Sequence, residues 1–295
     1  MFTGQNLARA DWGGILLTPI DAEEPSMDWR DEGILLSVRR HGETSAIVGA
    51  LTAEHGRHAG LVRGGATRNK ASMLQPGAQL SLEWRARMES PLGTYSVDLV
   101  RGRSGRILPD KMALGGLNAI SAMLVTLLPE REPVPELYAA TVALADALGS
   151  EPRWPVLYAH WELTLLSTLG FGLDLASCAA TGVHGDLFYV SPKTGRAVCR
   201  EAAAPYADRM LPLPQFLIGR SQASIGDVRE ALRLTGFFFE NWVRPAFELD
   251  TLPTPRERLL TLLDRYDMPL PPVEAPEEDD DPAAWWYNRV PETEH

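Results

Sequence analysis

The hydrophobic period of this chain changes once, close to Pro109, from about two to about 3.6 residues. That change limits the fold to a β domain followed by a helical one, an α+β class. Before it, Gly33 to Arg40, Ser45 to Thr52, Arg57 to Arg63, Gln79 to Arg87 and Thr94 to Arg101 are alternating segments. The turns between them hold His41-Gly42-Glu43, Glu54-His55-Gly56 and Ser90-Pro91-Leu92-Gly93. Five short strands with Gly/Pro turns predict a small closed sheet. An OB-type barrel and an SH3-like barrel both satisfy this alternation.

After Pro109, Asp110 is a predicted N-cap for a helix running to Leu128. Further helices are predicted over Glu136 to Leu148, closed by Gly149, and from Pro152 to Leu169, closed by Gly170. Trp154, Leu157, Trp161, Leu165 and Leu169 recur at helical spacing and read as core. Ser224 caps a long helix from Ile225 to Val243, with Phe237, Phe238 and Phe239 at its centre. A last short helix covers Arg256 to Leu263.

The helical pattern breaks between Gly172 and Pro205, where Leu187 to Val190 and Ala197 to Cys199 form a predicted hairpin. Its cysteines stand in Cys178-Ala179-Ala180-Thr181 and Cys199-Arg200-Glu201-Ala202. A closed tetrahedral zinc site needs four ligands. Thr181 and Ala202 supply no thiolate, and His184 would make only a third ligand, so no metal or other cofactor is expected. Two cysteines build no disulfide framework, which points to a reducing, cytoplasmic setting. No apolar run is long enough to span a bilayer.

The formal charge is −11, which at face value opposes a nucleic-acid partner. Its distribution removes that objection. Residues 1–26 carry −3, residues 27–108 carry +4, residues 109–273 carry −5 and residues 274–295 carry −7. The predicted barrel is therefore the basic part. Arg63-Gly64-Gly65 and Arg68-Asn69-Lys70 lie in its longest connection, which reads either as a phosphate-tracking loop or as an ordinary solvated one. Arg39, Arg40, Arg57, Arg85 and Arg87 fall on other strands of the same sheet. Arg85 and Arg87 share a face opposite Trp84, so Trp84 reads as core rather than as a base-stacking platform. His41, His55 and His58 read as turn and surface residues.

No GxxxxGK[ST] loop, GxSxG elbow or HExxH pair occurs. His160 and Glu162 do not share a helix face. A binding protein is favoured over an enzyme.

Several segments, in order, resemble the RecO family of DNA repair and recombination mediators. They include Met27-Asp28-Trp29-Arg30-Asp31-Glu32-Gly33, Arg39-Arg40-His41-Gly42-Glu43-Thr44 and Gly56-Arg57-His58-Ala59-Gly60-Leu61-Val62-Arg63-Gly64-Gly65. Leu169-Gly170-Phe171-Gly172-Leu173-Asp174 and Tyr189-Val190-Ser191-Pro192-Lys193-Thr194-Gly195 continue the match, which covers about residues 27–267. The resemblance implies an OB-type barrel over 27–108 and a helical domain over 109–172 and 206–270. It also implies a zinc-ribbon-like insert over 173–205, degenerate here at Thr181 and Ala202. Residues 1–26 would be an N-terminal extension and 271–295 an acidic disordered tail.

The implied activity is non-enzymatic. Members bind single- and double-stranded DNA, anneal complementary strands and engage the acidic tail of single-strand-binding protein. With RecR, and in some cases RecF, they help load RecA. The implied DNA-binding residues are Arg39, Arg40, Arg57, Arg63, Arg68, Lys70, Arg85 and Arg87. A protein–protein adaptor with secondary DNA contact is the competing expectation. The run Glu277 to Asp281, followed by Trp285 and Trp286, reads as a solvated tail or as a competitor for the protein's own tail-binding pocket.

Overall fold

The computed structural model describes residues 27–86, 92–265 and 270–271. Arg87, the expected extension 1–26 and all of the expected acidic tail after Pro271 lie outside them. Five strands come first: β1 (Met27–His41), β2 (Ser45–Thr52), β3 (Gly56–Val62), β4 (Gln79–Ala86) and β5 (Thr94–Arg101). They close into a barrel in the order β1-β2-β3-β5-β4, with β3 and β5 parallel and the other pairs antiparallel.

The first strand starts at Met27 rather than Gly33. Its N-terminal half pairs with β4, Trp29 opposite Trp84, while its C-terminal half pairs with β2, Arg40 opposite Ala46. One strand thus serves two neighbours, and a register shift between Leu35 and Ser37 lets it curl. Leu35 points into the barrel with Val48, Leu80 and Leu82. Ile34, Leu36 and Leu51 point out of it and join the core of the helical domain. That is why residues 33–36 are all buried and lack simple alternation.

A short helix, α1 (Arg68–Ala71), occupies the long β3–β4 connection, and α2 (Ser104–Ile107) follows β5. The helical domain holds α3 (Lys111–Leu127), α4 (Pro135–Ala147) and α5 (Trp154–Thr168). Asp110 caps α3 as expected, accepting from the N–H groups of Met112 at 2.8 Å and Ala113 at 3.2 Å.

The insert contains β6 (Leu187–Val190), β7 (Ala197–Cys199) and α6 (Arg200–Ala203). A strand the alternation does not reveal, β8 (Leu211–Pro212), completes a three-stranded sheet in the order β7-β6-β8. Leu187, Val190 and Ala197 pack into the helical core.

Ser224 and Asp227 form a capping box that starts α7 (Ile225–Phe238). The expected helix to Val243 changes at Phe239 into one π-helical turn, Phe239–Val243, which keeps both end residues buried. The last helices among the described residues are α8 (Arg244–Ala246) and α9 (Thr254–Asp264), the latter starting two residues before the expected Arg256. Among the described residues, no helix is long and apolar enough to cross a membrane.

Candidate nucleic-acid interface

The barrel register brings distant cations together. Arg39 lies opposite Ile47, Ile47 opposite Leu61, Leu61 opposite Thr94, and Thr94 opposite Arg85. These five residues form one row across all five strands, and none of them is buried. In the next row, Ala46, Val62, Tyr95 and Trp84 are buried inside the barrel. The outer surface of the sheet thus carries an arginine at each end of a short floor of Ile47, Leu61 and Thr94.

Arg40 follows Arg39 near the end of β1, and Arg63 follows β3 directly. The Ala66 N–H donates to the Thr44 carbonyl at 2.8 Å, tying the β3–β4 connection to the β1–β2 turn. This places Arg39, Arg40, Arg63, Arg68 and Lys70 at one end of the barrel. Among the described residues Arg39, Arg63 and Arg68 are exposed and form no ion pair. The Lys70 Nζ donates to the Arg63 carbonyl at 3.2 Å, which shapes the loop without neutralising its charge.

The other expected cations sit differently. Arg85 is exposed but hydrogen-bonded to Glu83, which also pairs with Arg30 at 3.2 Å. Hydrogen bonds from Arg30 and Arg85 hold the Glu83 carboxyl below its ordinary pKa. Arg57 is turned toward the helical domain. Its Nε donates to the Leu128 carbonyl at 2.9 Å and its Nη1 to Glu130 at 3.1 Å. It fastens the barrel to the α3–α4 connection.

His58 is not a surface histidine. It is 3% exposed and lies among Trp29, Trp84 and Tyr95, with ring centroids 5.1, 4.7 and 6.1 Å away. Burial, followed by the charge of Arg131, lowers its pKa. The alternation of β3 could have located it, because it shares the inward face with Gly60 and Val62. His55 stacks on Trp29 at 4.0 Å, with Nδ1 3.3 Å from Asp31. Trp84 is 3% exposed, so it belongs to the core.

Sequence reasoning missed a groove between the domains. Leu36 and Ser37 of β1, Leu114 and Val125 of α3, and Leu262 of α9 line about 510 Å³, with Lys111 and Arg258 beside them. It is an apolar trough bearing two cations. Arg103 is only 1% exposed and is bound to Asp146 at 2.8 Å and to the Gly77 carbonyl at 2.9 Å. It locks the barrel to α4. Burial raises the Asp146 pKa, but hydrogen bonds from Arg103 and Arg101 outweigh this and lower it overall.

Among the described residues, no group of three or more His, Cys, Asp or Glu could hold a metal ion. The Cys178 and Cys199 sulfurs are 3.3 Å apart, with the Thr181 hydroxyl 3.7 Å from Cys199 Sγ. Ala202 has only a methyl group, and His184 turns its Nδ1 to the Ala176 carbonyl at 3.0 Å. Two thiols do not meet a four-ligand requirement.

A closed five-stranded barrel with cations gathered at one end, fused through a shared core to a helical domain, defines a class of binding protein. Family comparison narrows the class. Residues 27–103 match the family model for the N-terminal part of recombination protein O, and residues 109–248 match that for its C-terminal part. DNA repair protein RecO of Ruegeria sp. strain TM1040 is 55% identical over 239 residues, covering 81% of this chain and 99% of the relative. Those of Cereibacter sphaeroides strain ATCC 17029 and Jannaschia sp. strain CCS1 are 54% and 49% identical over the same share of this chain, covering 99% and 97% of the relatives. The chain belongs to the RecO family of DNA repair proteins, which are recombination mediators rather than enzymes.

Proposed function

We propose that the chain is a DNA repair and homologous-recombination mediator of the cytoplasm. It binds single- and double-stranded DNA at the cationic end of the barrel and anneals complementary strands. With RecR, and with RecF where present, it helps load RecA on DNA coated by single-strand-binding protein. The observation that carries this reading is the convergence of Arg39, Arg40, Arg63, Arg68 and Lys70 at one barrel end. Cations beside an open sheet face track phosphates without reading bases, as OB-type grooves do. The strand order and the parallel β3–β5 pair support reading the barrel as OB-type, and the β6–β7 hairpin supports reading the insert as a zinc-ribbon relic that folds without metal.

Membership of the RecO family supports a role for the single-strand-binding protein tail. The groove between α3 and α9 suits that tail, because its apolar lining takes a hydrophobic tip while Lys111 and Arg258 face acidic residues. The adaptor reading draws support from Leu99 and Val100 at the end of β5 and Leu108 just after α2, which are each about half exposed.

The test is DNA affinity across a salt series for the full chain and for the triple variant Arg63→Ala, Arg68→Ala and Lys70→Ala. Loss of three phosphate contacts should reduce the log–log salt slope by about 2 on single strands. An unchanged slope with unchanged affinity refutes the site and favours the adaptor.

A further inference from the structure

The insert keeps two thiols where a four-ligand metal site does not fit, and their geometry suits another chemistry. Cys178 and Cys199 are free and buried, with sulfurs 3.3 Å apart. The Cys199 N–H donates to Cys178 Sγ at 3.3 Å. The loop that carries Cys178 is itself closed, with the Cys178 N–H bonded to the Val183 carbonyl and the Gly182 N–H to the Cys178 carbonyl, each at 2.8 Å. The Ala179 N–H joins this loop to β7 through the Ala197 carbonyl, also at 2.8 Å. The two sulfurs are thus held facing each other by backbone bonds rather than by chance side-chain contact.

We propose that Cys178 and Cys199 form a reversible intramolecular disulfide that staples the 174–183 loop to β7. A disulfide needs the sulfurs at about 2.05 Å, so closure requires about 1.3 Å of approach. Side-chain rotation within a backbone-fixed pair supplies a movement of that size. Burial raises the Cys178 pKa, but hydrogen bonds from the Cys199 N–H, the Thr181 hydroxyl and the Ala180 and Thr181 N–H groups bring it to about 6. Those hydrogen bonds favour the thiolate, the nucleophilic form, at Cys178. Its cover is the segment 179–186, whose residues are all exposed.

With a small-molecule disulfide as oxidant, the Cys178 thiolate attacks one oxidant sulfur, forms a mixed disulfide and expels one thiolate. Cys199 then loses its proton to solvent, attacks the Cys178 sulfur and expels the second thiolate. Two cysteine thiols are oxidised by two electrons, and the oxidant disulfide is reduced to two thiols.

The test equilibrates the full chain in graded mixtures of reduced and oxidised glutathione, then quenches by alkylation and reads intact mass and peptide map. The expected result is loss of both alkylation sites together, with a Cys178–Cys199 cross-linked peptide that a reductant reverses. Two sites that stay alkylatable in every mixture overturn the proposal. So does a stable glutathione adduct without closure, or cross-linking only between chains. A parallel incubation of the reduced chain with zinc ion alone should leave both thiols alkylatable, and one zinc per chain protecting both would also overturn it. These measurements use the unsubstituted chain. The Cys199→Ser variant, checked for folding by circular dichroism, should stop at the mixed disulfide.

Discussion

Arg256 is the residue whose replacement should cost the fold most. Arg256 is 4% exposed, and Glu162, its partner, is fully buried. The Arg256 Nε donates to Glu162 Oε1 at 2.7 Å, and its Nη2 donates to Glu162 Oε2 and to the Leu232 carbonyl, each at 2.9 Å. The Thr235 hydroxyl also donates to Glu162. Arg256→Met keeps an unbranched apolar stem but leaves the Glu162 carboxylate buried without its cation. Breaking such a pair costs about 3–5 kcal/mol. For a chain of this size that lowers Tm by on the order of 10 °C. The double variant Glu162→Leu with Arg256→Met removes both charges and should recover most of the loss, because a well-packed apolar pair replaces a buried ion pair at little or no cost. Thr235 then keeps the Ala231 carbonyl as acceptor at 3.2 Å. Thermal and urea unfolding, followed by circular dichroism, measure both variants. A single variant within about 1 kcal/mol of the parent refutes the reasoning. A double variant as unstable as the single one refutes it equally.

The remaining predictions concern a buried histidine and a glycine. Burial lowers the His160 pKa to about 4, from an ordinary value of 6.5. The unfolded chain therefore takes up the proton first as pH falls, and stability present above pH 6.5 is lost progressively toward pH 4. The loss from this residue should reach about 3 kcal/mol. His160→Gln should flatten urea-unfolding stability over that window relative to the parent, and identical pH profiles would show that His160 is not the cause. Gly56 has φ +58°, and an added Cβ would lie 1.8 Å from the Glu132 carbonyl oxygen. Gly56→Ala should therefore destabilise by at least about 1–2 kcal/mol from the backbone alone. An unchanged Tm would show that the 130–132 segment does not press on this turn.

Much of the fold was legible because most strands have one wet and one dry face. Alternation therefore marked β2, β3 and β5 closely, and Asp110 and Ser224 announced their helices. It failed where both faces are covered. In β1 the outward Ile34 and Leu36 enter the helical core, so the strand shows an apolar run with a polar, charged lead-in over 28–32. His58 is misread as a surface residue because charge-based reading assigns polar residues to solvent, and the same reading does not foresee that Arg57 on β3 turns its side chain to the helical domain. Tertiary contacts decide otherwise, by aromatic packing for one and by the Leu128 carbonyl for the other. Glu162 lies on an apolar helix face, and its cation is 94 residues away in sequence. Nothing local reveals that pair. The cluster of Arg39, Arg63, Arg68 and Lys70 was only partly legible, since their membership in one sheet follows from pattern but their common end follows from register.

The shared strand β1 also sets a distance. Leu36 and Ser37 border the α3–α9 groove, and Arg39 and Arg40 follow on the same strand. At about 3.3 Å per residue, Ser37 at the edge of the groove and Arg39 are separated by about 7 Å of backbone. Ser37 and Arg39 have the same parity, so they look out from the same face of the strand. Because β1 walls both cores, this interval contains no hinge. Strand β1 acts here as a ruler: a ligand in the groove and a phosphate at Arg39 would be spaced by hydrogen-bonded strand rather than by a linker, close enough for each to feel the other within a Debye length, about 8 Å at physiological salt.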